Sequence, residues 1–482
     1  MLVLLMIVSV VSCGNADTPD TQTGNADTTD AVSAEETTEE TKESEPYTGV
    51  FKAGFGRVDI SPTVPFNGFT TVLDPIYTTC VAVFDGKNTA LIFTVDVKNI
   101  GRDYCEASKK RINSATGVPV TNIIISATHN HSMIGVGDSS DTATTRWNGA
   151  LHNNMIKAAK EAIADLSDAE VHVGTGKTTG LAFVRRYIHE DGSFSGINMI
   201  KRSSTPVVKY ESEADDSLGL IRFVRADKKD IVMANWQAHL AHAVGVNPQA
   251  ITADLAHHAR KTVEGGDDDV LLAYYQGASG NINLTVKVPK SGKYDGNYIR
   301  VGEELGKIIL NTLKDGMSKV EAGTIYTRKE NCEMPYRTVD PDRLAKAKEV
   351  VAAGAAGSTA YNSLLEKYGF QSNYEVERLI TLEPHQGEIS TQIIGGVAFG
   401  DIAFVAVPYE MFDTNGMEVK NGSPYKKTFV ITCAGGGVGY VPSALAVKNG
   451  GYEVVATNFE FGTAEKVVGQ LLEMLNKLNE KK

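Results

Sequence analysis

Beyond its first residues the chain lacks any apolar run near the ~20 residues that a membrane helix needs, so its body is not built around membrane spans. It also lacks a basic block and any basic stripe interleaved with aromatics, which excludes nucleic acid as an expected partner. Cysteine is scarce, with five residues in 482 and no Cys-x-x-Cys spacing, so a cysteine-built zinc site is not expected. Cys80, Cys105, Cys332 and Cys433 are too scattered for their spacing to say whether any two are oxidised together.

What is present begins with an apolar run, residues 1–11, closed by small residues around Cys13. The run is too short to span a bilayer and reads as an export signal with a lipobox-like end, although it lacks the Lys or Arg that usually precedes such a core. Cys13 is then the acylated first residue of the mature chain. The protein is expected to be exported and lipid-anchored at a bacterial cell envelope, touching the membrane through that anchor. Residues 14–46 carry ten carboxylates against the single base Lys42, with no aromatic side chain. Such a segment cannot bury enough apolar surface to offset ordering entropy and is expected to be a solvated tether. Its charge of −9 accounts for most of the chain's −12, leaving residues 47–482 near neutral at −3.

From Tyr47 the texture changes to apolar runs of strand length alternating with helical periodicity, the pattern of an α/β domain. Strands are expected at 89–95, 122–126, 231–235, 270–275, 402–407 and 428–433, mostly as continuous apolar runs suited to burial on both faces. Helical spacing recurs through Met155, Ala159, Ala162, Ile163 and Leu166, through Val301, Leu305, Ile308, Ile309 and Leu313, and over 464–478. A further helical stretch, 341–368, is either an excursion shielding a site or a long connection. The expected fold is α/β, with mixed β-sheets flanked by helices in one large domain, 47–482.

Sites in open α/β sheets gather outside the carboxyl ends of strands, where loops converge on a rigid support. Five of the expected strands end in polar or glycine-rich residues. Thr128-His129-Asn130-His131 follows the first, His239 and His242 follow the second, and Gln276 to Asn281 follow the third. Tyr409-Glu410 follows the fourth, and a glycine-rich run to Tyr440 follows the last. Zinc takes imidazole and carboxylate ligands and keeps an open position when catalytic. His129 and His131, at alternate positions of an extended segment, would face one cavity. His242, and His257 and His258 on an expected helix 254–263, read as structural. Asp254 reads equally as a carboxylate behind a ligand histidine or as the N-cap of that helix. On spacing alone Glu410 and Tyr440 would pass as a loop carboxylate and a packing tyrosine.

These residues resemble the neutral ceramidase family across nearly all of the folded region. Ala53-Gly54-Phe55-Gly56-Arg57-Val58-Asp59-Ile60-Ser61-Pro62 is similar to that family's N-terminal signature, and Ser126-Ala127-Thr128-His129-Asn130-His131-Ser132 to its most specific motif. Asn235-Trp236-Gln237-Ala238-His239, Pro408-Tyr409-Glu410 and the segment from Tyr440 to Tyr452-Glu453 resemble three more of its motifs. The resemblance implies zinc ligands His129, His239, Glu410 and Tyr440, and it implies that His131 and Tyr452 donate hydrogen bonds to a scissile carbonyl. Arg185 lies near a family arginine. Two departures stand out: Asn283 occupies the place of the family serine, and the chain is expected to lack the family's C-terminal β-sandwich domain. The expected activity is zinc-assisted hydrolysis of an amide in a ceramide-like or other N-acyl lipid. A hydrolase of another amide or ester, and a non-catalytic surface lipoprotein that captures a ligand, are the alternatives.

Overall fold

A strand covered on both faces needs apolar residues at every position, and such runs form the middle of this molecule. In a computed structural model the described residues are 47, 49–199, 203–284 and 298–482. Cys13 and the acidic stretch 14–46 lie outside them. The larger sheet contains β1 (Lys52–Asp59), β2 (Tyr77–Phe84), β3 (Thr89–Val95), β4 (Ile123–Ala127), β5 (Ser167–Lys177), β6 (Ser217–Arg225), β7 (Asp230–Trp236), β8 (Val270–Gln276) and β9 (Met317–Val320). Their order is β8-β7-β6-β5-β1-β2-β3-β4, with β9 also on β5. The smaller sheet runs in chain order through β10 (Tyr326–Pro335), β11 (Ile389–Phe399), β12 (Ile402–Ala406) and β13 (Lys427–Ile431). Parallel pairing joins β3 to β4, β7 to β8 and β12 to β13, while the other pairs in these sheets are antiparallel.

Side-chain alternation along each strand sorts residues into layers. On β3, Leu91, Phe93 and Val95 pack toward α1 (Arg102–Thr116) and α2 (Thr142–Ala164), while Ala90 and Ile92 point to the opposite core. On β7 and β8, Val232, Ala234, Leu272 and Tyr274 meet α3 (Leu255–Gly266) and α4 (Tyr298–Asp315). The opposite faces of the larger sheet meet Val397, Phe399, Phe404, Phe429 and Ile431 of the smaller sheet. That sheet's outer face carries the last helix. The architecture is therefore helices, sheet, sheet, helices: the expected mixed sheets flanked by helices.

The expected strands all form, with boundaries shifted by at most two residues. The helical stretch at 341–368 proves longer. It is α5 (Pro341–Ala352), α6 (Thr359–Lys367) and α7 (Asn373–Leu382), built on a small core of their own that includes Val350, Leu365, Phe370 and Val376. This excursion is more than a connection, because Tyr374 on α7 meets Tyr452 with ring centroids 4.9 Å apart. The chain continues through α8 (Asp413–Gly422) to α9 (Thr463–Asn479), which buries Val467, Leu471, Met474 and Leu478 against the smaller sheet. Cys80, Cys105, Cys332 and Cys433 are buried free thiols. Among the described residues no helix is long and apolar enough to cross a membrane.

Two glycines set the distance between α2 and the larger sheet. A Cβ on Gly54 would stand 2.0 Å from the Ala162 carbonyl oxygen, and one on Gly56 would stand 2.1 Å from that of Ala158. Both obstacles are helix backbone, which cannot swing aside. Gly56→Ala is therefore expected to cost about 3 kcal/mol of stability, the upper range for forced overpacking. Urea denaturation checks this, and an unchanged midpoint would contradict the close approach.

Candidate metal centre

Five carboxyl strand ends supply the centre. After β4 the chain turns sharply at His129, whose φ of +59° is rare for a residue with a side chain. The backbone is pinned through the turn: Thr128 and Asn130 donate to Val95 and Val97, and His131 donates to Leu240. The two rings meet as expected, with Nε2 atoms 3.1 Å apart. Their convergence comes from the left-handed turn, not from the extended alternation the spacing suggested.

His239 follows β7. Its Nδ1 donates to the carbonyls of Ser279 at 2.7 Å and Ile282 at 3.2 Å, both in the segment that follows β8. The His129 Nδ1 donates to the Lys98 carbonyl at 2.9 Å, just beyond β3. A carbonyl oxygen can only accept, so both Nδ1 atoms carry a proton, and each ring in its neutral form presents its Nε2 lone pair. Those lone pairs face Glu410, whose Oε2 lies 3.1 Å from His129 Nε2 and 3.0 Å from His239 Nε2. Glu410 is set by a short parallel bridge in which it pairs with Tyr440. The Tyr440 hydroxyl in turn sits 3.4 Å from His239 Nε2.

Three acceptors this close require a cation or a shared proton among them. The spacing suits a metal, since tetrahedral zinc with ~2.0–2.1 Å bonds separates its ligand atoms by about 3.3 Å. The ring nitrogens of His129, His131 and His239 also lie within 4.8 Å of one another, so His131 borders the same position. Without a metal the cluster keeps a proton. Burial opposes charge on His129, but Glu410 and Cys433 outweigh it and push the ring up to about 10. Burial and the Arg185 charge push His239 down to about 3, and burial with the neighbouring His129 holds His131 well below the ordinary histidine range.

Around this core lie the other expected residues. Tyr452 meets the Tyr440 ring edge to face at 5.5 Å between centroids. Burial, reinforced by the Glu410 charge, raises both phenols, so both stay protonated at neutral pH. Arg185 Nη2 donates to the Tyr440 hydroxyl at 3.1 Å, and its Nη1 donates to Asn283 Oδ1 at 3.2 Å. Asn283 stands on the strand Ile282–Leu284, paired with Ala182–Val184 just before Arg185. All eight site residues named from the sequence thus gather in one place.

His242, His257 and His258 stay outside. His257 lies 3.6 Å from Asp74, and His258 packs on Tyr298. Asp254 supports no ligand ring. It is the N-cap of α3, accepting from the Leu255 N–H at 2.7 Å, and its second oxygen takes the N–H groups of His242 and Ala243.

Sequence reasoning missed the carbonyls of Lys98, Ser279 and Ile282, because a backbone oxygen leaves no residue signature. Gly280 was also missed; a Cβ there would meet the Glu410 carbonyl oxygen at 2.6 Å. Its place in the glycine-flanked loop after a buried strand was the available signal. Glu453, which holds Arg185, showed only its adjacency to Tyr452.

The layers form a mixed α/β fold that is also found in solved ceramidase structures. Two solved structures share it. A ceramidase complexed with C2 superposes with a TM-score of 0.67 at 15% identity, over 90% of this chain and 76% of that one. The neutral ceramidase from Pseudomonas aeruginosa gives a TM-score of 0.66 at 12% identity, over 90% of this chain and 75% of that one. No protein-family model and no curated protein matches the chain. At these identities the likeness defines the fold.

Burial raises the Asp254 carboxyl from 3.8 to about 6, against its three N–H donors. The folded value lies above the unfolded one, so the contribution to stability is fully present below about pH 4 and is lost as pH rises through 6. Its size is on the order of 3 kcal/mol. Urea midpoints from pH 4 to 7 should therefore decline more steeply in the wild type than in Asp254→Asn. Parallel profiles would contradict a raised carboxyl.

Proposed function

We propose that the chain is a zinc-dependent amidohydrolase acting on ceramide-like or other N-acyl lipids. The observation that carries this reading is the meeting of two Nε2 lone pairs with the Glu410 carboxylate, beside side chains that stay protonated and can donate. His129, His239, Glu410 and Tyr440 would hold the ion. Imidazole, carboxylate and phenol oxygen form a donor set suited to zinc. When bound, zinc supplies Lewis acidity, polarising a carbonyl and acidifying water.

The chain's own residues do the rest. Kept neutral by burial, His131 has an N–H to offer a carbonyl oxygen as negative charge develops there. Tyr452 offers its phenolic O–H from the opposite segment. Because Asn283 Oδ1 is taken by Arg185, Nδ2 is the group this residue turns to a substrate, where a serine would offer a hydroxyl. Arg185 ties Asn283 to Tyr440 and so fixes one wall of the site. The likeness in fold to ceramidases supports an amide substrate. The apolar start of the chain and Cys13 support an exported, lipid-anchored location, with residues 14–46 as tether and 47–482 as catalytic domain.

Purified under zinc-replete conditions, the protein should carry about one zinc per chain. His129→Ala and His239→Ala should lose both metal and hydrolysis. His131→Gln and Tyr452→Phe should keep the zinc and lose ~10²-fold in kcat, the usual cost of one donor to developing charge. A short-chain fluorescent ceramide, assayed beside simple N-acyl amides and esters, identifies the substrate. Cleavage of the simple amides alone would retire ceramide and keep the hydrolase. Metal analysis finding no zinc would overturn the reading.

A further inference from the structure

Four charged side chains lie buried beside the proposed centre and compensate one another. Each oxygen of Glu453 takes a different arginine: Oε1 accepts from Arg185 Nε at 2.8 Å, and Oε2 accepts from Arg186 Nη1 at 2.9 Å. Arg186 also reaches Glu211 through Nε at 2.5 Å and Nη2 at 2.9 Å, and it donates to the carbonyls of Ala446 and Gly450. The Glu453 and Arg186 side chains are wholly buried. Two positive and two negative groups make the cluster neutral, as burial demands. Within it the two arginines differ. Arg186 is spent on Glu211, Glu453 and backbone, whereas Arg185 turns its Nη atoms toward Asn283, the Gly280 carbonyl and Tyr440. Glu453 is the only carboxylate within ion-pair distance of Arg185 among the described residues.

Glu453 also immediately follows Tyr452. Its carboxylate therefore joins the helical turn Tyr452–Val455 to the strand Arg186–His189, which begins at the residue after Arg185. Glycines at 450 and 451, both with positive φ, lead the chain into that turn. The Gly451 N–H is held by Gln371, from the loop before α7.

We propose that Glu453 is a positioning residue that sets Arg185 and Tyr452 as one unit, with its second oxygen anchored on Arg186. The proposal rests on the hydrolase reading for its catalytic consequence and on the contacts above for its geometry. Through Glu453 the orientation of Tyr452 and the wall formed by Arg185, Asn283 and Tyr440 depend on a single carboxylate. Glu211 belongs to the same buried cluster and touches neither Arg185 nor Tyr452, which makes it the internal control.

The test is a double-mutant cycle on the best amide substrate, using zinc-loaded full chain. Glu453→Gln should lower kcat on the order of 10²-fold, as a misplaced positioning group does, with zinc content retained and KM little changed. In an Arg185→Gln background the same substitution should add little further loss, because residues acting through one another are not additive. Glu211→Gln should disturb stability without a comparable fall in kcat. Additive losses in the cycle, or an equal kcat loss in Glu211→Gln, would overturn the proposal. If Glu453→Gln does not fold, Glu453→Gln combined with Arg186→Gln removes opposite charges together and serves in its place.

A second measurement needs no turnover. Phenylglyoxal labelling read by peptide mass should show Arg185 reacting faster in Glu453→Gln than in wild type or Glu211→Gln. Unchanged labelling of Arg185 would overturn the clamp whether or not the chain hydrolyses amides.

Discussion

Two imidazole nitrogens held 3.1 and 3.0 Å from one carboxylate oxygen cannot all remain bare acceptors without a positive charge among them. That constraint organises the structure around it. Each ring is turned by a backbone carbonyl on its far nitrogen, and those carbonyls come from the ends of other strands: Lys98 after β3, Ser279 and Ile282 after β8. Rotating either ring would break a buried hydrogen bond, so the lone pairs stay aimed at Glu410. The parallel pairs β3–β4, β7–β8 and β12–β13 bring these loops to one end of two stacked sheets. The fold thereby concentrates acceptors where an isolated loop could not hold them.

A second layer of order comes from charge neutrality. The centre sits beside the buried quartet of Arg185, Arg186, Glu211 and Glu453, and the two are linked through Arg185 and Tyr440. Breaking one ion pair there would leave a charge buried without compensation, which is why such a cluster fixes geometry more surely than it adds stability. Helix α7 closes the arrangement from outside, with Tyr374 against Tyr452. The excursion between the sheet segments of the smaller sheet thus contributes to the site wall.

Much of the centre was legible because buried parallel strands write continuous apolar runs and their carboxyl ends stand out by contrast. His129 and His239 could be placed that way. Glu410 and Tyr440 could not, since their pairing exists only once β12 and β13 lie side by side; for them the resemblance to ceramidases supplied what spacing withheld. The turn at His129 was misread as extended because nothing in Thr128-His129-Asn130 announces a positive φ. Strands β5 and β10 escaped notice for the opposite reason to β7: parts of both are exposed and carry charged residues, so their apolar content never forms a run. Glu453 enters the sequence reading only as the end of the Tyr440 to Tyr452-Glu453 segment, and its full burial follows only from the two arginines that approach it.

X-ray absorption at the zinc edge on the purified, zinc-loaded protein tests the central claim most directly. The account predicts a shell of nitrogen and oxygen at ~2.0–2.1 Å, with two imidazoles from His129 and His239 and oxygens from Glu410 and Tyr440. A shell with three imidazoles would take at least one of Glu410 and Tyr440 out of the role given to it. A spectrum with sulfur ligands, or no bound zinc at all, would contradict the account.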